Sequence, residues 1–433
     1  MRFVTGARRN KNLSNSLLIR GASQIVTAAG RAPRRGKALA GLHVLRHGAL
    51  LVRDGVFAAI GPAAKIEKLK ESRSAQLLDL NGRVVLPGFV DAHTHLIHAT
   101  SRAEEYELKI QGASYEEIAR TGGGILTSVK RLRAATAEQL KVRARFFLER
   151  FAEYGTTTIE AKSGYGLDVT GELRILSLHK ELGAEQPLEI VSTFLGAHVV
   201  PAEYRDKPRG THEYLTLLEQ QLIPAVAEND LAEYCDVFCE RSAFSRSQSR
   251  QVLLAGKKHG LRPRIHAEQL SNTGATRLGV ELGAASCDHL EYLRPADIRA
   301  LAKSDTVATL LPGCDFHLGL KQYAPARKLI DAGAIVALAT DFNPGTSPTL
   351  SMPMILSLAC SQLRMAPAEA ITASTLNAAY SLGRHRRIGS IETGKQADLA
   401  VFEVADFREI PYYFGVNTCW LTMKHGEVVH MRD

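Results

Sequence analysis

The feature that most constrains the fold is an alternation of strand-like and helix-like segments through the middle of the chain. Eight short apolar runs cover residues 84–90, 156–160, 189–195, 235–239, 264–266, 285–289, 307–311 and 335–340. The segments between them, such as 136–154, 171–182, 214–227, 245–259 and 326–332, carry helix-forming residues with apolar spacings of three and four. Eight strands with helical crossovers predict a (β/α)8 TIM-like barrel, whose active site lies at the carboxyl ends of the strands.

Both ends of the chain have a different character. Residues 16–79 form short β-like runs broken by turn residues, and residues 389–429 form a similar set. Neither set has enough strands to be stable alone, so we expect the two ends to combine in one β-sandwich beside the barrel. The predicted division is 1–83 for the N-terminal part of the sandwich, 84–384 for the barrel and 385–433 for the C-terminal part.

Composition excludes several classes of protein. Hydrophobic residues make up 45% and charged residues 23%, and no run approaches the roughly 20 apolar residues that span a bilayer. The basic start, residues 1–11, is not followed by an apolar signal core, and six widely spread cysteines favour a reducing compartment, so we expect a cytoplasmic protein. The net charge of +9 is scattered, without an aromatic-interleaved stripe, which disfavours nucleic-acid binding but permits a small anionic substrate.

A barrel requires the chemistry to collect at the strand ends, and it does. His93 and His95 close the first predicted strand and point the same way because side chains alternate along a strand. His266 ends the fifth strand, and Asp341 follows the eighth. Three imidazoles and one carboxylate leave room for a bound water, which is typical of a catalytic divalent metal ion. Asp341 can both hold the metal and take a proton from the attacking water.

The strand ends also carry longer motifs. The segment 87–95, with a later histidine and a terminal aspartate, resembles the amidohydrolase superfamily, which builds a barrel with a composite β-sandwich. More narrowly, residues 162–167, 194–198, 236–240, 266–270 and 339–346 resemble the imidazolonepropionase family. This resemblance implies hydrolysis of 4-imidazolone-5-propanoate to N-formimino-L-glutamate, the third step of histidine degradation, by attack of metal-bound hydroxide. It also implies one zinc or iron ion on His93, His95, His266 and Asp341, and a possible homodimer.

The same resemblance implies the roles of further side chains. Those that would bind the substrate are Arg102, Tyr165, His198, Gln269, Asn343, Gly345 and Thr346. The Arg102 guanidinium suits the substrate propionate, and His198 and His289 would donate hydrogen bonds to the developing oxyanion, with His289 in a catalytic role. Some family members carry a carboxylate where this chain has Gln269. Because an amide cannot act as a base, we assign Gln269 to orienting the water or the ring nitrogen, and proton transfer to Asp341.

Three alternatives accompany this interpretation. Another metal-dependent hydrolase on the same barrel, a deaminase or a cyclic-amide hydrolase, would share the metal ligands, whereas a non-catalytic scaffold would lack them. A carbamylated lysine bridging two metals belongs on the fourth strand, but Lys162 follows the second, so one metal ion is favoured. The stretch 313–317 is more polar than expected after the seventh strand, so the sequence does not predict the structure of the pocket wall there.

Overall fold

The computed structural model describes residues 16–112 and 123–433, so the basic N-terminal segment lies outside the described residues. Within these two ranges the strands form three sheets of four, six and nine strands. No helix in the described part of the chain is long and apolar enough to cross a membrane.

The largest sheet is the predicted barrel. Its eight main strands are parallel and neighbour one another in chain order. They are Phe89–Thr94, Thr156–Lys162, Glu189–Ala197, Tyr234–Cys239, Ile265–Ala267, Ser286–His289, Val307–Leu310 and Ile335–Leu338, with the short strand Arg262–Pro263 beside the fourth. The ring closes where the backbone N–H of Asp341 donates to the His93 carbonyl at 3.0 Å, and that of His95 to the Phe342 carbonyl at 2.8 Å. The predicted barrel is confirmed.

The first predicted strand, 84–90, is wrong in one respect: it is two strands. Val84–Pro87 pairs antiparallel with Leu399–Phe402 in a terminal sheet, and Phe89–Thr94 opens the barrel. Gly88 lies between the two strands. It packs so closely against Thr157 that a Cβ at this position would overlap the Thr157 side chain. The apolar run is continuous because both strands are buried, and hydropathy alone does not mark the break. His93 therefore lies within the barrel strand and His95 directly after it.

The two ends of the chain build the other sheets. The six-stranded sheet contains Gln24–Val26, Val44–Leu45, Val84–Pro87, Leu399–Phe402, Cys419–Lys424 and Glu427–Met431. The four-stranded sheet contains Ser16–Arg20, Gly48–Arg53, Val56–Pro62 and Gln76–Asp79. Buried residues of both sheets, among them Ile19, Phe57, Val401 and Leu421, share one apolar core. The ends thus form the composite sandwich that the sequence predicts, because neither set can cover its own apolar face.

Helices surround the barrel, except the first, which packs on the four-stranded sheet, and several of them begin at capping residues. They are Ala63–Ile66, Ala103–Ile110, Ile125–Ala134, Ala137–Glu153, Val169–Glu185, Ala202–Arg205, Gly210–Leu217, Ile223–Glu228, Arg246–Lys258, Ala275–Leu282, Pro295–Ala302, Pro312–Leu318, Ala326–Asp331, Met352–Ser361, Pro367–Ser374, Leu376–Ser381 and Glu409–Tyr412, with a π-helical turn at Leu218–Leu222 and 3-10 turns at Gly36–Ala40 and Glu71–Arg73. Thr136 caps the helix Ala137–Glu153: its side chain accepts from the Gln139 backbone N–H, and the Gln139 side chain accepts from the Thr136 backbone N–H. Ser245 and Gln248 form the same pair of bonds at the start of Arg246–Lys258. The predicted crossover helices are confirmed, within a few residues at their ends.

Candidate active site

The carboxyl ends of the barrel strands surround a chamber of about 300 Å³. Of the predicted site residues, those that line it are His95, Arg102, Tyr165, His198, His266, Gln269, His289, Asp341, Asn343 and Thr346. His93 is fully buried at its base, and Gly345 lies against Arg102. The fold therefore brings every predicted site residue to one place.

The predicted metal ligands converge at the base of the chamber. The Nε2 atoms of His93 and His95 lie 3.4 and 3.6 Å from the same Asp341 carboxylate oxygen, and these three side chains offer ligand atoms within 4.8 Å of one another. The ring of His266 lies 4.6 Å from that of His93, centroid to centroid. Among the described residues, His93 Nε2 is buried without a hydrogen-bond partner. An orphaned nitrogen beside a carboxylate fits a divalent cation that would bind both.

Two further aspartates orient these imidazoles. Asp288 Oδ2 lies 2.8 Å from His93 Nδ1, and Asp236 Oδ2 lies 3.2 Å from His266 Nδ1. Carboxylates in these positions fix the tautomer, leaving the Nε2 lone pair directed to the chamber. Burial lowers the pKa of His93 well below its usual value, which keeps the ring neutral as a metal ligand must be.

A buried cation lies beneath this site. The Lys162 ammonium contacts Glu160 and Asp236 at 2.8 Å each and Asp288 at 3.7 Å, and Arg264 lies alongside. Burial alone would lower the pKa of Lys162, but the carboxylates of Asp236 and Glu160 raise it overall. Lys162 is therefore a charged partner of the carboxylates that hold the histidines. The sequence carried one signal of this cluster, since Glu160 and Lys162 are two apart on one strand.

Arg102 stands at the chamber wall in a fixed orientation. Its Nε and Nη2 donate to Glu105 Oε2 at 2.9 and 2.6 Å, and a Cβ at Gly345 would overlap the guanidinium. Lys109, which the sequence analysis missed, also lines the chamber and donates to the Gly345 carbonyl at 3.3 Å. Burial and the neighbouring Arg102 lower the pKa of Lys109. The spacing 102, 105, 109 places all three on one side of a helix, which was the available signal.

The loop after the eighth strand is built around Asn343. Its Oδ1 accepts from the backbone N–H groups of Gly345 and Thr346 at 2.8 Å each, and its Nδ2 donates to the Asp341 carbonyl at 2.7 Å. Asp341 has φ +54°, a left-handed conformation that an aspartate tolerates and that this loop holds. Burial raises the pKa of Asp341 to about 6. Asn343 thus positions the loop, in addition to facing the chamber.

His198 lines the chamber with one ring nitrogen already bonded to the backbone. Its Nδ1 lies 2.9 Å from the carbonyl of Gly164, which only accepts, so Nδ1 carries the proton. Burial lowers the pKa of His198 to about 3, and the ring is neutral near pH 7. The Nε2 atom that remains is a hydrogen-bond acceptor. In this tautomer Nε2 is suited to accept a hydrogen bond from a ligand, and the substrate-binding role of His198 stays a prediction, as does the catalytic role of His289.

The wall after the seventh strand is a short helix, Pro312–Leu318. Its Cys314 thiol is buried and accepts from Gln269 Nε2 at 3.7 Å, and Leu318 and Leu320 add apolar surface to the chamber. The polar stretch 313–317, for which the sequence predicted no structure, is therefore helical. Phe238, from the fourth strand, completes the apolar side.

Comparison with known proteins identifies the class to which this fold and site belong. Residues 84–429 match the model of the amidohydrolase family. The fold is similar to an adenosine deaminase from Xanthomonas campestris with bound zinc, at TM-score 0.70 and 18% identity over 96% of this chain and 94% of that one. It is equally similar to the E. coli guanine deaminase, at TM-score 0.70 and 16% identity over 96% and 99%. The chain belongs to the amidohydrolase family, and its cofactor is a divalent metal ion.

Closer relatives narrow the class. The chain is 48% identical to an imidazolonepropionase from Solibacter usitatus over 97% of this chain and all of that one. It is 44% identical to an imidazolonepropionase from a Geobacillus species over 95% and 97%. The predicted resemblance to the imidazolonepropionases is confirmed. The predicted enzyme class, a hydrolase acting on carbon–nitrogen bonds of cyclic amides, is confirmed with it.

Proposed function

We propose that the chamber hydrolyses 4-imidazolone-5-propanoate to N-formimino-L-glutamate through the residues assigned below. The observation that carries this proposal is the pairing of two features in one enclosed space. At its base the His93 imidazole, whose Nε2 has no hydrogen-bond partner among the described residues, lies beside the Asp341 carboxylate. At its wall the Arg102 guanidinium is held by Glu105. The ring amide requires the first feature and the propionate requires the second.

The proposed metal ligands are His93, His95, His266 and Asp341, holding one ion. Three imidazoles and a carboxylate suit either zinc or ferrous iron. A bound ion would polarise the ring carbonyl and lower the pKa of the attacking water. Lys162 occupies the cluster beneath the site as an ion-pair partner, with its ammonium 2.8 Å from two carboxylates, which argues against a carbamylated bridge between two ions.

The substrate's propionate binds Arg102. Glu105 orders the guanidinium, so little side-chain entropy is lost when a carboxylate binds. Lys109 adds a second positive charge on the same wall, and Tyr165 covers the ring beside His95. The Nε2 atom of His198 accepts the ring N–H, and Gln269, which lines the same chamber, contributes an amide donor.

Asp341 moves the proton in this proposal. Its carboxylate takes a proton from the attacking water and returns it to the ring nitrogen as the bond between that nitrogen and the carbonyl carbon breaks. His289 donates from its chamber-facing nitrogen to the carbonyl oxygen as negative charge develops there. Thr346, whose hydroxyl lies 3.4 Å from Asp341 Oδ2, supports the carboxylate in its charged form.

Location and assembly complete the proposal. All six cysteines are free, which suits the cytoplasm. Three exposed apolar side chains that line one surface groove, Phe316, Tyr412 and Phe414, offer a surface for a homodimer. The division at residues 83/84 and 384/385 stays our description of the domains, with Val84–Pro87 lending a strand to the terminal sheet.

The test is turnover of freshly prepared imidazolone propionate, followed by loss of its ultraviolet absorbance. We expect Asp341→Asn to abolish turnover, because the amide cannot take the proton. We expect Arg102→Ala to raise KM by roughly 10- to 100-fold with a smaller effect on kcat, since a charged hydrogen bond to the propionate is worth about 1.5–3 kcal/mol.

The control for Arg102 is Arg53→Ala, which removes an exposed arginine of the terminal sandwich, outside the chamber. Its kinetics should match those of the native protein. Absence of turnover in the metal-loaded native protein would refute the substrate, and the metal-dependent hydrolase would then be assayed on other cyclic amides. An unchanged KM in Arg102→Ala would refute the propionate site alone.

A further inference from the structure

Behind His289 lies a buried carboxyl group that the proposed mechanism does not use. Glu291 is 2% exposed, and neither of its carboxyl oxygens has a hydrogen-bond partner among the described residues. Its Oε1 lies 3.8 Å from His289 Nδ1, which is likewise buried and without a partner in that part of the chain. Two buried polar groups that face each other unsatisfied are rare in folded proteins and point to a role.

The backbone holds these two side chains in place. His289 and the next residue, Leu290, both have left-handed φ angles, 82° and 80°, which non-glycine residues adopt only when their surroundings enforce it. The Leu290 N–H donates to the Ala267 carbonyl at 3.1 Å, and Gln322 Nε2 donates to the Glu291 carbonyl at 2.9 Å. The turn therefore aims His289 into the chamber and Glu291 at the back of its ring.

We propose that Glu291 is a positioning residue, whose neutral carboxyl group donates its proton to His289 Nδ1 and so keeps the other hydrogen on Nε2. A neutral imidazole carries one N–H, and which nitrogen bears it is set by the partner of the other. With Nδ1 occupied as an acceptor, the chamber-facing Nε2–H is a donor in every molecule. This inference rests on the proposed function, in which His289 donates to the carbonyl oxygen of the substrate.

The charges around Glu291 agree with a neutral carboxyl group. Burial raises its pKa well above the usual value. Asp315, on the short helix after the seventh strand, is a second buried carboxyl whose pKa is raised to about 9 by burial and by Glu291. Two carboxyls in one apolar site cannot both ionise.

The test is a double-mutant cycle between Glu291 and His289. We expect Glu291→Leu to lower kcat by about 10- to 100-fold, as for the loss of other supporting contacts, with little change in KM. Glu291→Gln should recover most of the lost activity, because its amide N–H can donate to Nδ1. His289→Asn should lower kcat on its own, and adding Glu291→Leu to it should cost nothing more, because Glu291 acts through that ring.

Thermal melting separates this role from a structural one. Replacing an unsatisfied buried carboxyl by an apolar side chain should leave the melting temperature unchanged or raise it, even as kcat falls. The matched control is Glu369→Leu, which removes a buried carboxylate bound to Arg327 outside the chamber. It should lower the melting temperature and leave kcat unchanged. Should the leucine variant of Glu291 not fold, Glu291→Met fills the same space.

Two results would overturn the inference. One is a native kcat in Glu291→Leu; the other is an equal loss from Glu291→Leu in the His289→Asn background, which would make its effect independent of His289. Either result leaves the proposed function intact if His289→Asn alone is slow. Native kcat in His289→Asn would instead overturn the proposed role of His289, and this inference with it.

Discussion

Replacing Lys162 by methionine should lower the free energy of unfolding by about 3–5 kcal/mol, the usual cost of leaving buried charges uncompensated. Glu160, Asp236 and Asp288 carry three negative charges against the two positive charges of Lys162 and Arg264, a net of −1. Removal of Lys162 changes that net to −2. Each of its two 2.8 Å contacts gives an attraction of several kcal/mol at an effective dielectric constant of about 20, and desolvation of the ammonium offsets most of it.

The loss should depend on pH in a defined window. Burial would raise the pKa of Asp236, but Lys162 and His266 lower it overall, so its contribution is present above the ordinary aspartate value and is lost as pH falls. The pKa of Lys162 is raised, so its contribution is present below the ordinary lysine value and is lost as pH rises. The native protein and Lys162→Met should therefore differ most between about pH 4 and pH 10.

The assay is reversible urea denaturation followed by far-ultraviolet circular dichroism, together with metal content after purification. Lys424→Met is the matched control, because Lys424 is also buried and lies 2.7 Å from Asp398, but in the terminal sandwich. Both variants should lose stability, and only Lys162→Met should also lose bound metal, since Asp236 and Asp288 orient two ligands. A loss below about 1 kcal/mol in Lys162→Met, the size expected of an exposed pair, would refute a charged cluster.

Three further predictions follow from the same structure. Gly345→Ala should raise KM because its Cβ would displace the Arg102 guanidinium, whereas Gly183→Ala, whose Cβ has room within a helix, should leave steady-state kinetics unchanged. Removal of the metal with a chelator should abolish turnover and lower the melting temperature, and titration with zinc or ferrous iron should restore both; full activity of the metal-free protein would contradict the ligand set. Burial lowers the pKa of His179 to about 3. The contribution of the neutral ring to the free energy of unfolding is therefore complete above about pH 6.5 and is about 2 kcal/mol smaller at pH 5. His179→Leu should flatten this part of the pH–stability curve, and an unchanged slope would contradict the lowered pKa.

Much of the fold followed from local pattern. The barrel strands are short apolar runs between turn residues, and several crossover helices begin at capping residues such as Thr136, Asp168 and Ser245, so hydrophobic periodicity and these local signals were enough to place them. The division of 84–90 at Gly88 did not follow, because both halves are buried and only the distant Thr157 and Leu399–Phe402 reveal which sheet each half joins. Tertiary contacts, not propensity, decide that boundary.

The candidate site was predictable as a set of residues but not as a set of contacts. Parallel strands bring their carboxyl ends together, so the positions of His93, His266 and Asp341 in the sequence predict their proximity. Which ring nitrogen of His198 carries the hydrogen depends on the Gly164 carbonyl, and no pattern of side chains in the sequence predicts that contact. The facing of Glu291 and His289 likewise depends on two left-handed backbone residues in succession.

The antiparallel pairing of Val84–Pro87 with Leu399–Phe402 has a consequence for biosynthesis. The partner strand is translated more than three hundred residues later, after all eight barrel strands. The N-terminal strands must therefore wait with an uncovered apolar edge, and contacts between such distant segments form slowly and expose the nascent chain to aggregation. A chain that stopped before residue 399 would therefore leave the Val84–Pro87 strand without its antiparallel partner.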